Sequence, residues 1–118
     1  MRELVAPFQP RSYAYDNNAK LTHSRAVRAF YRAAQRELRG DGFTFKTYFN
    51  PGGIAVWGET YLKVYRDGKP IVEAYDTNMG MLVRQWDGHY SGHNHYVSNL
   101  FPFVFMVREL AAKPFVRF

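Results

Sequence analysis

Thr60-Tyr61-Leu62-Lys63-Val64-Tyr65-Arg66-Asp67-Gly68-Lys69-Pro70-Ile71-Val72-Glu73-Ala74-Tyr75 is the stretch that decides the fold. Asp67-Gly68 is the commonest two-residue hairpin turn, because both residue types tolerate the left-handed backbone that such a turn demands. Thr60 to Arg66 therefore reads as a strand and Lys69 to Tyr75 as its antiparallel return. Pro70 has no N–H to give to a ladder, which suits a sheet edge or the start of a strand.

Upstream the pattern also alternates, with Phe43, Phe45, Thr47 and Phe49 on one side and Thr44, Lys46 and Tyr48 on the other. Asn50-Pro51-Gly52-Gly53 makes a turn, and Ile54 to Trp57 continues as a second strand, so the sequence predicts a hairpin there. Downstream, Met81 to Gln85 adds a short fifth strand, and residues 86–95 read as a glycine- and histidine-rich loop. Strands thus fill 43–85. Ahead of them, Thr22 is the N-cap and Gly40 the left-handed C-terminal cap of a helix over 22–39. Val27, Phe30, Tyr31, Ala34 and Leu38 share its apolar face. Residues 1–21, rich in proline and asparagine, read as an extended arm. At the other end, 103–113 reads as a helix entered through Pro102 and stopped before Pro114. Phe103 to Val107 also fits a buried strand, but Arg108-Glu109-Leu110-Ala111-Ala112 favours the helix. The order predicts one α+β domain over 1–118: an antiparallel sheet of four to five strands, with an N-terminal amphipathic helix and a C-terminal helix packed on one face.

The chain has 118 residues, a net charge of +6 and no cysteine. Its length supports one core, and its charge favours anionic partners, nucleic acid first and acidic protein surfaces after it. Without cysteine there is no disulfide or thiol chemistry. The longest apolar run, Leu100-Phe101-Pro102-Phe103-Val104-Phe105-Met106-Val107, is far short of a membrane span, and the N-terminus has no signal-peptide pattern. A cytoplasmic protein that does not engage membranes is the expectation. The sequence leaves its oligomeric state open.

Arg25, Arg28, Arg32, Arg36 and Arg39 recur every three or four residues and so form one column on the predicted helix, opposite its apolar face. Like charges one turn apart repel by roughly 0.2–0.5 kcal/mol per pair, so such a column points to an anionic counterpart. Glu37 is the helix's one acid, and its neighbours three and four residues away are Ala33, Ala34, Gly40 and Asp41, none of them a column arginine. The guanidinium's planar fork grips phosphates and carboxylates at two points. The bland reading is a solvated face neutralised by acids from elsewhere, such as Asp16, Glu59 or Glu73.

A second candidate surface combines Tyr61, Lys63 and Tyr65 with Lys46 and Tyr48 on neighbouring strands. Rings interleaved with lysines are what single-stranded nucleic acid uses, although tyrosine is also simply a good strand former. A third is Trp86-Asp87-Gly88-His89-Tyr90-Ser91-Gly92-His93-Asn94-His95-Tyr96. Its His89, His93 and His95 are weak metal-ligand candidates, because their spacing fits no established site, and a metal-dependent nuclease is the remote reading. No catalytic triad, phosphate loop or paired-carboxylate motif is present. The expectation is a non-enzymatic binding protein with no cofactor.

Tyr48-Phe49-Asn50-Pro51-Gly52-Gly53-Ile54-Ala55-Val56, then Gly68-Lys69-Pro70-Ile71-Val72, then Gly88 to Asn99 resembles the layout of small accessory proteins of bacteriophages. Those run strand, glycine turn, strand, and then a polar loop into an asparagine-bearing helix start; here histidines replace the usual threonines. The resemblance covers about half the chain and implies a phage-encoded protein in the bacterial cytoplasm. It makes an inhibitor of a host enzyme or of a defence complex (anti-CRISPR-like), acting by protein–protein binding, the rival to nucleic-acid docking.

Overall fold

The structure, a computed structural model, describes residues 17–50, 59–77 and 79–117. Helix α1 (Asn17–Leu38) passes through a 3-10 turn (Arg39–Asp41) into strands β1 (Thr44–Asn50), β2 (Glu59–Arg66), β3 (Lys69–Thr77), β4 (Gly80–Trp86) and β5 (Ser91–Val97), and helix α2 (Leu100–Ala112) follows. The five strands form one antiparallel sheet in sequence order. This is the α+β architecture expected from the alternating pattern, with both helices on one face.

The β2–β3 turn has φ of 54° at Asp67 and 77° at Gly68, the left-handed pair that a two-residue hairpin requires. A register shift between Val64 and Tyr65 sets Pro70 opposite Tyr65 and brings Leu62 opposite Ala74 and Val64 opposite Val72. Pro70 therefore begins a central strand, and the irregular ladder beside it accommodates the missing N–H. The far half of β2 and β3 then points one apolar row at the helices.

Four boundaries differ from the sequence reading. α2 starts at Leu100, not Phe103, and ends at Ala112, so Pro102 lies inside its first turn, where no intrahelical N–H bond is lost. α1 starts at Asn17, not Thr22, so residues 17–21 are helical; asparagine costs a helix well under 1 kcal/mol, a small term beside the apolar face that follows. The left-handed cap is Gly42, at φ 80°, not Gly40, because the 3-10 turn tightens the end of the helix and moves the cap two residues on. Residues 91–95, read as loop, belong to β5, an edge strand whose one fully buried residue is Gly92, so its side chains give no alternating apolar signal. Of the remaining expectations, the arm over 1–16 and a strand over 54–57 lie outside the described residues. β1 pairs along its whole length with β2, from Thr44 opposite Tyr65 to Asn50 opposite Glu59.

The core lies between helices and sheet. Val27, Phe30, Tyr31, Ala34 and Leu38 of α1 and Phe103, Val104, Val107 and Leu110 of α2 meet Leu62, Val64, Val72, Ala74, Met81 and Val83. Phe103 sits between the two helices, its ring centroid 5.2 Å from Phe30 and 5.7 Å from Tyr31. That placement makes 100–112 a helix, since only a period near 3.6 buries 103, 104, 107 and 110 together. The same period leaves Phe101 and Phe105 exposed, at 86% and 57%. Tyr31 is fully buried, and desolvation raises its phenol pKa well above the ordinary value. Its hydroxyl donates to the Thr60 carbonyl at 3.4 Å, and the Thr60 and Ser24 hydroxyls lie 3.0 Å apart. Asp76, also buried, accepts the Thr60 N–H at 2.7 Å.

Gln85 ties the C-terminal tail to the sheet. Its buried amide donates to the carbonyls of Leu110, Lys113 and Pro114 at 3.1–3.2 Å and accepts the His93 N–H at 3.1 Å. Gly92 completes the fit, because a Cβ there would stand 2.5 Å from both Gln85 Oε1 and the Val116 carbonyl. Replacing Gln85 by leucine keeps the volume and strands buried polar groups. We expect Gln85→Leu to lower unfolding free energy by about 1–3 kcal/mol in urea titrations and to open residues 113–117 to limited proteolysis.

Candidate nucleic-acid interface

The residues singled out in the sequence fall on two surfaces. Arg25, Arg28, Arg32 and Arg36 project from α1 and Arg39 from the 3-10 turn, all exposed and on the side turned away from the core. Among the described residues, the ion pairs involve other cations: Lys63 and Arg84 with Glu73, and Arg108 with Asp41. None of the five column guanidinium groups is held by a described carboxylate. Arg28 lies 5.1 Å from the centroid of the Phe49 ring, a cation–π contact that anchors this end of the column over β1. Arg108, from α2, bonds Asp41 Oδ2 at 2.6 Å and the Glu37 carbonyl at 3.1 Å, fixing the end of α1 from which Arg39 emerges.

The second surface is the sheet face that the helices leave uncovered. Lys46, Tyr48, Tyr61, Lys63 and Tyr65 all lie on it, and the pairing arranges them in rows across the strands. One row runs Tyr48, Tyr61, Tyr75, Leu82, Tyr96, with one residue from each strand. The ring centroids of Tyr48 and Tyr61 are 6.0 Å apart and those of Tyr61 and Tyr75 are 5.1 Å apart. The row beside it runs Lys46, Lys63, Glu73, Arg84, Asn94. Beyond that, Tyr65 and Trp86 flank the cations.

The polar row is braced from within. Glu73 is nearly buried and accepts from Arg84 Nε at 3.0 Å, with Lys63 Nζ at 3.8 Å. The cations lean on the rings: Lys63 lies 4.5 Å from Trp86, Lys46 lies 5.5 Å from Tyr65, and Arg84 lies 5.0 Å from Tyr75. Sequence reasoning found the β1 and β2 members and missed Tyr75, Leu82, Arg84, Trp86 and Tyr96. The bulge shifts the register by one residue, so counting back from the turn assigns Glu73 and Tyr75 to the wrong face.

The histidines do not form a centre. His89 lies in the turn before β5, while His93 and His95 share one side of that edge strand. Among the described residues no three histidine, cysteine or carboxylate side chains converge to hold a metal ion. Asp87 instead braces the turn, accepting the Tyr90 N–H at 2.7 Å and the His89 N–H at 2.8 Å, and these two bonds lower its carboxyl pKa. Arg117 of the tail stacks on Tyr90 at 3.6 Å.

Among the described residues no helix is long and apolar enough to cross a membrane. No protein-family description matches the chain, and neither a curated protein nor a solved structure is significantly similar to it.

The tyrosine row sets an alkaline limit. Burial raises the Tyr61 phenol pKa, and its hydrogen bond to Glu59 at 2.6 Å raises it further; burial also raises that of Tyr75. The unfolded chain ionises its tyrosines near pH 10, whereas the folded chain keeps these phenols neutral. Stability is therefore complete below about pH 10 and falls as pH rises past it. Urea midpoints measured from pH 8 to 11 should show that decline, and Tyr61→Phe should lessen it.

Proposed function

We propose that this is a non-catalytic binding protein whose α1 arginine column docks on nucleic-acid phosphates. The observation that carries the reading is the set of five exposed guanidinium groups with no described carboxylate holding any of them. From Arg25 to Arg39 the column extends about 21 Å at 1.5 Å per residue. A nucleic-acid backbone supplies an unbroken line of negative charge over such a length, one phosphate per about 3.4 Å of a duplex strand. A protein surface would need several carboxylates in the same line. The contacts are to phosphates, so they fix orientation and read little sequence. The phage-like layout supplies a setting, the bacterial cytoplasm.

Five phosphate contacts at about −0.9 each give a log–log salt slope of about −4.5 on duplex DNA. Fluorescence anisotropy with a labelled duplex at 25–200 mM salt measures it. The Arg28→Glu/Arg32→Glu double variant should bind at least tenfold more weakly at low salt, with the slope reduced to about −2.7. No binding of duplex DNA, single-stranded DNA or RNA by the wild-type protein at low salt would refute the reading. A protein partner that persists in pulldowns after nuclease treatment would move the column's target to an acidic protein surface.

A further inference from the structure

We infer that the uncovered sheet face is a second site, separate from the arginine column, that stacks the unpaired bases of a single-stranded nucleic acid. The inference takes its class of partner from the nucleic-acid reading above and its geometry from a different face of the molecule.

Neighbouring strands in a sheet are about 4.8 Å apart, so the row Tyr48, Tyr61, Tyr75, Leu82, Tyr96 crosses about 19 Å and presents aromatic surface on four of five strands. Its two ends are the most open: Tyr48 is 56% and Tyr96 48% exposed. Between these ends the inner rings of Tyr61 and Tyr75 pack against one another, their centroids 5.1 Å apart and their planes tilted by 33°. The polar row is displaced by two residues along each strand, about 6.8 Å, so a base resting on Tyr48 or Tyr61 has Lys46 or Lys63 beside it, and Arg84 lies on the strand between those of Tyr75 and Tyr96.

Charge points the same way. Among the described residues the cations of this face are Lys46, Lys63 and Arg84, and its carboxylates are Glu59 and Glu73. Glu73 lies nearly buried beneath two cations, and Glu59 accepts the Tyr61 hydroxyl. The side presented to a partner is therefore aromatic and positive, which suits bases attached to phosphates and repels a basic peptide. A duplex hides its base faces, so stacking selects unpaired strands.

The test uses Trp57→Phe protein, which leaves Trp86 as its one indole and as a reporter beside Lys63. An oligothymidylate of twelve residues should quench Trp86 fluorescence at low salt. Inorganic polyphosphate of equal charge, which has no bases, should not. Tyr48→Ala and Tyr96→Ala remove exposed rings without opening the core, and each should weaken oligothymidylate binding about fivefold or more, while Tyr48→Phe binds as the parent does. Arg28→Glu/Arg32→Glu should leave the quenching in place.

Absence of quenching by oligothymidylate, equal quenching by polyphosphate, or unchanged affinity in both alanine variants would each overturn the inference. Duplex binding read by anisotropy separates the two claims. Duplex bound without Trp86 quenching leaves the arginine column standing and removes the sheet site; quenching with no duplex binding does the reverse.

Discussion

The bulge between Val64 and Tyr65 sets the pairing of the two strands at the middle of the sheet, and with it the division of the molecule into a covered and an open face. In a strand, opposite residues share a face, so a one-residue slip would set Leu62 opposite Glu73 and Lys63 opposite Val72. Glu73 would then face the helices without Arg84 or Lys63 beside it, an uncompensated carboxylate in an apolar layer, and Val72 would meet water. The bulge avoids both. It brings Leu62, Val64, Val72 and Ala74 into the core and collects Tyr61, Lys63, Glu73 and Tyr75 outside. β4 then follows, with Val83 opposite Ala74 and Arg84 opposite Glu73.

Much of this was legible in the sequence where one physical signal dominated. The two-residue turn at Asp67-Gly68 and the alternation on either side of it gave the hairpin, and the 3.6 period of Val27, Phe30, Tyr31, Ala34 and Leu38 gave α1 with its buried face. The edge strand β5 was not legible, because periodicity reports burial and β5 buries little beyond Gly92. Its glycine looks like loop chemistry in the sequence. In the structure it is there because the Gln85 side chain and the backbone of the C-terminal tail approach too closely for a Cβ. Phe103 to Val107 was ambiguous for a related reason: a run of apolar residues has no readable period until Phe105, and Phe101 before it, are seen to face water.

The candidate site was half legible. The arginine column needs only helical spacing, which the sequence states outright, and its exposure follows from lying opposite the apolar face. The rows across the sheet depend on four registers at once. One of these contains the bulge, which could have been inferred from the demand that Val72 and Ala74 share a face with Leu62 and Val64. The register between β4 and β5 has a second irregularity, between Arg84 and Trp86, and nothing in the local pattern announces it. Tyr96 therefore joined the aromatic row only once the structure was known.

The two basic surfaces differ in how their charge is held, and under the proposed reading that difference would divide the work between them. On the sheet, the near-buried Glu73 carboxylate needs a cation to offset its lost hydration, so the Arg84 guanidinium is committed to structure and Lys63, at 3.8 Å, is partly shared. Lys46 faces Lys63 across the ladder and rests on Tyr65, so of the three cations it is the one without a described carboxylate. The face thus offers more ring than net charge, and its affinity would come from stacking, which salt affects little. The α1 column is the opposite case: five guanidinium groups, no described carboxylate, and one ring contact at Arg28. Its affinity would be almost wholly electrostatic and steeply dependent on salt. A ligand with both paired and unpaired segments would satisfy both faces, with the column supplying long-range attraction and the sheet a short-range preference for exposed bases.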